Sequence, residues 1–347
     1  MYSGASLGEE FDGELARAGA LKARMPYQTN KDLRNSINAG MISYHDVPLG
    51  QMPVWVKNNF LKHIDVAIIE AAAIDENGNI IPTTSVGTSN IYAEYADKII
   101  IEVNTYVPRC IEGIHDVYSP ERPPHTQPIP ITKVSDRVGT TYIKCDPAKV
   151  VAVVESNIPD NGRTVSPVDD EFRSMANNLI GFLHSEVEHG RLCNPLPPVQ
   201  AGVGSVSNAV LQGLAESDFE HLTVYSEVLQ NSIFDLIDAG KVDFASGTSL
   251  TISWDKRDEF FENFEKYRDK MILRPQEISN HPEVIRRLGV IAINTVIEAD
   301  IYGNTNSSYI DGCRLMNGVG GSGDYCENAG LSIFITKSTA KDGMLSC

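Results

Sequence analysis

The sequence predicts an α/β protein built as two domains with mainly parallel sheets. Three observations carry that prediction. Short, uninterrupted apolar runs recur along the chain, and parallel strands covered on both faces read in that way. Helical patterns alternate with those runs in both halves, as βαβ units require. A polar stretch with proline and glycine at residues 157–170 separates two halves, each of ordinary domain size.

The elements follow in order. VAII at residues 66–69, III at 99–101 and VVAVV at 150–154 read as buried strands. DENGN at 75–79 is a turn, and residues 92–97 form a short helix that feeds the strand at 99. Residues 108–130 contain six prolines and are read as loop. The division expected is a first domain at 1–157, a linker at 158–170 and a second domain at 171–347. The second domain opens with a helix at 171–189. A glycine turn at Gly202-Val203-Gly204 leads into a helix at 206–215, followed by a strand at 222–225. A helix is expected at 228–239, with Val228, Leu229, Ile233, Leu236 and Ile237 on one side and Gly240 just past its end. Another strand starts at Phe244-Ala245.

Composition excludes several classes of function. The net charge is −17, from 46 acidic and 29 basic residues, with no Lys/Arg-rich run. Nucleic acid and anionic membrane surfaces are therefore poor partners. An anionic ligand would need local help from backbone N–H groups or a few placed arginines. No run of 18 apolar residues occurs, and the longest apolar stretch, 66–74, is interrupted by Glu70. The segment 1–25 holds no apolar run, so no secretory signal is read there. The six cysteines form no C-x-x-C pair and read as free thiols in a reducing compartment. The eight histidines show neither H-x-x-x-H nor H-E-x-x-H spacing, so no metal is assigned.

Four segments have the makings of chemistry. Glu227 stands at the carboxyl end of the strand at 222–225, where α/β sheets gather ligands. Ser226 is placed to cap the helix expected at 228, whose N-terminus favours an ionised carboxylate. Such a carboxylate can attack an acyl carbonyl and form a mixed anhydride. Acidic residues also commonly decorate first helical turns, so position alone leaves both readings open. Gly202-Val203-Gly204 fits a tight strand-to-helix turn and equally a phosphate or oxyanion cradle. The run from Gly318 to Asp324 has four glycines in its first six residues and suits an anion nest, an oxyanion hole or a surface loop. In QEISNHPEVIRR at 276–287, Pro282 fits the first turn of a helix. Asn280 either caps that helix or donates its amide to a substrate oxygen. Glu298 and Asp300 form a rival carboxylate pair, or serve a turn at 301–304.

QAGVGSVSNAV (200–210), YSEVLQ (225–230), ILRPQEISNHPEVIRRLG (272–289), IEADIYGNTNS (297–307) and MNGVGGSGD (316–324) resemble the acetyl-CoA hydrolase/transferase family, and within it the succinyl-CoA:acetate CoA-transferase branch. IEAAAIDENGNIIPTTSVG (69–87), IIEVN (100–104) and EGIHD (112–116) extend the likeness nearly end to end. The resemblance implies two related, open-sheet domains of the CoA-transferase (NagB/RpiA-like) type with the active site between them. It implies Glu227 as nucleophile, with Asn280 and the Gly321 N–H holding the reacting oxygen. It implies coenzyme A contacts at Gly202, Val203, Gly204 and Gly320, and more loosely at Arg163. Coenzyme A enters as a substrate, alongside small carboxylates such as acetate and succinate, with no permanently bound cofactor. Acetyl-CoA hydrolysis uses the same residues. The family implies a homodimer, in the cytoplasm or, with a targeting segment upstream, in a mitochondrion or hydrogenosome. Its members also begin before the position of Met1 and continue past that of Cys347, where a further active-site carboxylate is expected. A CoA-binding fragment without turnover is thus a further expectation.

Overall fold

The computed structural model describes residues 1–6, 9–160, 169–340 and 344–345. Its largest sheet has six strands, in the order Met271–Leu273, Val242–Gly247, Leu222–Tyr225, Val199–Ala201, Ile291–Thr295 and Leu331–Ile335. Every neighbouring pair is parallel. The chain starts in the middle at Val199–Ala201, adds three strands on one side, then returns to add two on the other. The reversal lies between Val199–Ala201 and Ile291–Thr295, and ligands collect in the crevice outside such a switch point. Helix Ser205–Glu216 packs against helix Asp170–Glu188 beside this sheet.

A second parallel sheet joins Val66–Ala71, Lys98–Asn104 and Val150–Ser156, with Lys98–Asn104 in the centre. The expectation that its apolar runs are covered on both faces is corrected. Ala67, Ile69 and Ala71 point into the core, whereas Val66, Ile68, Val151 and Val153 are 45%, 62%, 55% and 56% exposed. Side chains alternate across a strand, and among the described residues only one face of this sheet is packed. An apolar run marks a strand, but it does not record whether the outer face is covered.

The N-terminal segment, 1–57, for which the sequence predicts no element, forms a third parallel sheet. Its strands are Tyr2–Ser6, Ala23–Gln28 and Ser43–Tyr44, with helices Glu9–Arg17 and Lys31–Asn38 between them. The strand ARMPYQ hides its period because Arg24 faces inward. Its guanidinium is fully buried against Asp12, with Nε 3.1 Å from Oδ1.

Two expected helices change. Ser89–Tyr95 is the helix expected at 92–97. The helix expected at 228–239 is a strand, Val228–Gln230, followed by a helix Asn231–Asp238. The strand pairs in parallel with Ser249–Thr251. Val228 and Leu229 are buried in either geometry, so their apolar character does not distinguish a turn of helix from a short strand. Gly240 does end the helix with φ of +72°, the left-handed conformation that a C-terminal glycine supplies.

The two halves are locked together by polar contacts. Leu250 N–H donates to Thr84 O at 2.8 Å, and Gln276 N–H to Gly87 O at 2.8 Å. Lys57 Nζ lies 2.6 Å from Glu277 Oε1 in a buried pair. Arg274, fully buried, pairs with Asp116 and donates from Nε to Ser246 Oγ at 2.9 Å. One apolar core runs through both halves, from Ala67 and Ile99 to Val224 and Ile291.

Candidate active site

Glu227 occupies the bend between the strands Leu222–Tyr225 and Val228–Gln230. Its main-chain carbonyl accepts from Thr248 N at 2.7 Å, which fixes the bend against the next strand. No helix begins here, so the helix-dipole argument for an ionised Glu227 is corrected. Ser226 caps nothing; its hydroxyl donates to Ala201 O at 3.3 Å. The carboxyl's environment acts in the opposite direction. Burial pushes Glu227 up to about 7, the nearby Asp324 charge adds to this, and the hydrogen bond from Asn280 partly offsets it.

Asn280 is fully buried behind the carboxyl. Its Nδ2 donates to Glu227 Oε2 at 3.0 Å and to Asp324 Oδ2 at 2.9 Å, while its Oδ1 accepts from Ser279 Oγ at 2.7 Å. Two carboxylates on one side and a hydroxyl donor on the other leave a single sensible orientation for the amide. Asp324 also accepts from Gly50 N at 2.8 Å. Its own carboxyl is pushed up to about 6 by burial, against the pull of the Gly50 and Asn280 donors. Tyr225 and Tyr325 brace the segment beneath, donating to Ile278 O and Ser279 O at 2.6 Å each.

Gly321 closes the other side. A Cβ built there would lie 1.8 Å from Glu227 Oε2 and 2.9 Å from Asn280 Nδ2. Its φ is an ordinary −86°, so glycine is required by the approach of the carboxylate and not by the backbone angle. Gly318 meets both demands: its φ is +130°, and a Cβ would lie 2.2 Å from the Tyr44 hydroxyl.

A cleft of about 580 Å³ opens over Glu227 at the sheet's switch point. Gly202, Val203, Gly204, Gly320, Gly321 and Glu227 all line it. Val203 stands 54% exposed at its mouth. Gln200 and Asn294 exchange amide hydrogen bonds of 2.8 and 3.2 Å across neighbouring strands and form part of the floor. The opposite wall comes from the N-terminal segment, through Tyr27, Thr29, Arg34 and Leu49. The structure therefore brings together every site residue expected from the sequence except Arg163, which lies outside the described residues.

The rival carboxylates do not join them. Glu298 and Asp300 lie on an exposed hairpin, where Asp300 accepts from Tyr302 N and Asn304 N at 2.9 Å each. Cys326, beside Asn294 under the cleft, is held protonated, its thiol pushed up to about 11 by burial. Asp324 and the wall from the N-terminal segment were not singled out in the sequence. Asp324 had a signal, standing three residues after Gly321 in a glycine-rich run. Arg34 had none.

Known proteins resemble this chain over its whole length. The acetyl-CoA hydrolase/transferase N-terminal domain matches residues 1–155, and the C-terminal domain of the same name matches residues 257–347. The chain is 48% identical over 346 residues to succinyl-CoA:acetate CoA-transferase of Clostridium kluyveri, covering 100% of this chain and 64% of that protein. It is 44% identical to acetyl-CoA hydrolase of Schizosaccharomyces pombe, over 97% of this chain and 66% of that one. It is 42% identical to propanoyl-CoA:succinate CoA transferase of Escherichia coli, over 100% of this chain and 70% of that one. The chain thus spans about two thirds of the length of these relatives. In fold it is similar to a 4-hydroxybutyrate CoA-transferase from Porphyromonas gingivalis, with a TM-score of 0.64 at 18% identity, covering 99% of this chain and 78% of that one. The α subunit of a citrate lyase from Streptococcus mutans aligns with a TM-score of 0.66 at 18% identity, covering 96% and 61%. The chain belongs to the acetyl-CoA hydrolase/transferase family.

Proposed function

We propose that this site transfers coenzyme A between an acyl-CoA and a small carboxylate, of the acetate and succinate kind, through a covalent intermediate on Glu227. One observation carries the reading: a carboxyl group stands in the cleft over the sheet's switch point, held at 3.0 Å by a buried amide and pressed against a glycine backbone. Glu227 attacks the thioester carbonyl and expels CoA thiolate, which leaves an acyl-glutamyl anhydride. The thiolate returns to the glutamyl carbonyl, releases the acyl group as its free carboxylate, and forms a glutamyl-CoA thioester. The acceptor carboxylate opens that thioester by the same two steps in reverse. Each addition makes an oxyanion for the Gly321 N–H and the Asn280 amide, and one such donor is worth about 3–4 kcal/mol. Burial strips part of the water from Glu227, yet a carboxyl near 7 stays substantially ionised at neutral pH.

Coenzyme A lies along Gly202, Val203, Gly204 and Gly320 in this reading, with the chain divided at 158–170 between the two domains. The names of the relatives favour transfer and hydrolysis alike. Both begin with the same attack by Glu227, and they differ in whether a carboxylate or water opens the intermediate.

The test is to incubate the protein with acetyl-CoA and no acceptor, then measure its intact mass. A CoA adduct that borohydride reduction and peptide mapping locate at Glu227 is expected. An adduct on a cysteine, or no adduct together with kinetics of a ternary complex, overturns the proposal. Product formed at the same rate with and without succinate assigns the site to hydrolysis.

A further inference from the structure

We infer that Arg34 is an anion anchor of the cleft, holding the remote charged group of a substrate whose reacting end lies at Glu227. This rests on the transferase reading above and adds to it a residue that decides which substrate is held.

Arg34 sits on the helix Lys31–Asn38 and lines the cleft together with Gly202 and Glu227. Among the described residues it pairs with no carboxylate, and its only side-chain hydrogen bonds run from Nη2, to Thr29 O at 3.2 Å and to Asn317 Oδ1 at 3.5 Å. Its Nε is buried and has no partner among the described residues. The chain carries 17 more acidic than basic charges, and many of its arginines find a carboxylate, as Arg17, Arg24, Arg109, Arg191, Arg268, Arg274 and Arg287 do. A guanidinium left unmatched in a cleft wall, with a desolvated N–H, is an incomplete electrostatic arrangement. A planar anion completes it, because the guanidinium presents paired N–H donors that match a carboxylate or phosphate.

Its attachment points to the substrate's far end. Asn317 begins the run that reaches Gly321, so Arg34 and the glycine against Glu227 lie at opposite ends of one short loop segment. That loop is itself fixed from the same side, by Val319 N–H donating to Asp46 Oδ1 at 2.7 Å and Leu49 N–H donating to Gly320 O at 3.1 Å. The arginine is thus tied to the loop beside the nucleophile without touching the carboxyl. Two substrate groups have the required chemistry: the second carboxylate of a dicarboxylic acid and a phosphate of coenzyme A.

The experiment compares the wild type with Arg34→Gln and Arg34→Lys, by equilibrium titration with CoA, succinate and acetate and by steady-state kinetics with the same ligands. A charged hydrogen-bonded contact of this kind corresponds to roughly a 10- to 100-fold change in affinity. For a carboxylate partner, Arg34→Gln weakens succinate by that factor and leaves acetate and CoA unchanged. For a phosphate partner it weakens CoA, and the KM for acyl-CoA rises alike with every acceptor. Arg34→Lys keeps part of the effect in either case, because the charge remains. Unchanged affinities in Arg34→Gln, or a fall in kcat alone shared by all substrates, overturn the assignment while leaving the transferase reading standing. A wild-type protein that binds neither CoA nor any carboxylate overturns both.

Discussion

Glu227→Gln replaces the carboxyl by an amide of the same size and should make the protein more stable at alkaline pH while abolishing transfer. The magnitude follows from the site. The carboxyl is raised from an ordinary 4.5 to about 7, and at 1.36 kcal/mol per pH unit that gap is worth about 3 kcal/mol. The sign is fixed by linkage. Between about pH 4.5 and 7 the folded state holds a proton on Glu227 that the unfolded chain has lost, so stability falls as pH rises through that window. The whole penalty is present above pH 7 and absent below 4.5. Asp324, raised to about 6, contributes a fall of its own in both proteins, so the difference between them isolates Glu227 and its coupling to Asp324. The assay is urea unfolding from pH 4.5 to 8.5. The two proteins should have similar stability at the acid end, and the variant should be ahead by about 2–4 kcal/mol at the alkaline end. A constant difference across the range, or a variant less stable at pH 8, refutes the claim that burial of an ionisable Glu227 strains the site.

Three further outcomes are expected. Asn280→Ala removes the donor that lowers Glu227, so the pH at which activity is half-maximal should move up, with a rate loss of about 10²–10³-fold; a pH–rate profile with an unmoved midpoint contradicts the hydrogen-bond assignment. Gly321→Ala puts a methyl group where Glu227 Oε2 now lies. Overpacking of this kind costs about 1–3 kcal/mol, and adduct formation on acetyl-CoA should be lost; normal adduct yield would show that the loop does not press on the carboxyl. Asp116→Ala leaves Arg274 buried without its carboxylate partner, a loss of about 3–5 kcal/mol in chemical unfolding; a change below about 1 kcal/mol would mean that water reaches Arg274.

The sequence by itself determined the class of fold and the central strands of the first half, Val66–Ala71, Lys98–Asn104 and Val150–Ser156, and it nominated the candidate site residues. Continuous runs such as VAII and VVAVV mark strands by their length and β-branched content, while the exposure of Ile68 and Val153 on the outer face was not legible in them. Motifs such as YSEVLQ and GVGGSGD mark chemistry through their resemblance to the family, since position alone leaves a structural role open to both. Tertiary structure decided what surrounds them. Residues 228–230 are strand because Ser249–Thr251 lies alongside to pair with them, a partner well removed along the chain that no local period reports. That pairing removes the helix end expected at Glu227 and leaves burial to set its proton affinity. The buried Arg24 and Asp12 conceal the N-terminal sheet from any hydrophobic pattern, because charge inside a core is permitted only by a partner distant in sequence. Arg34 is informative for the complementary reason: it reads as a surface charge in a sequence, and only the folded chain shows that it lines the cleft while pairing with no carboxylate among the described residues.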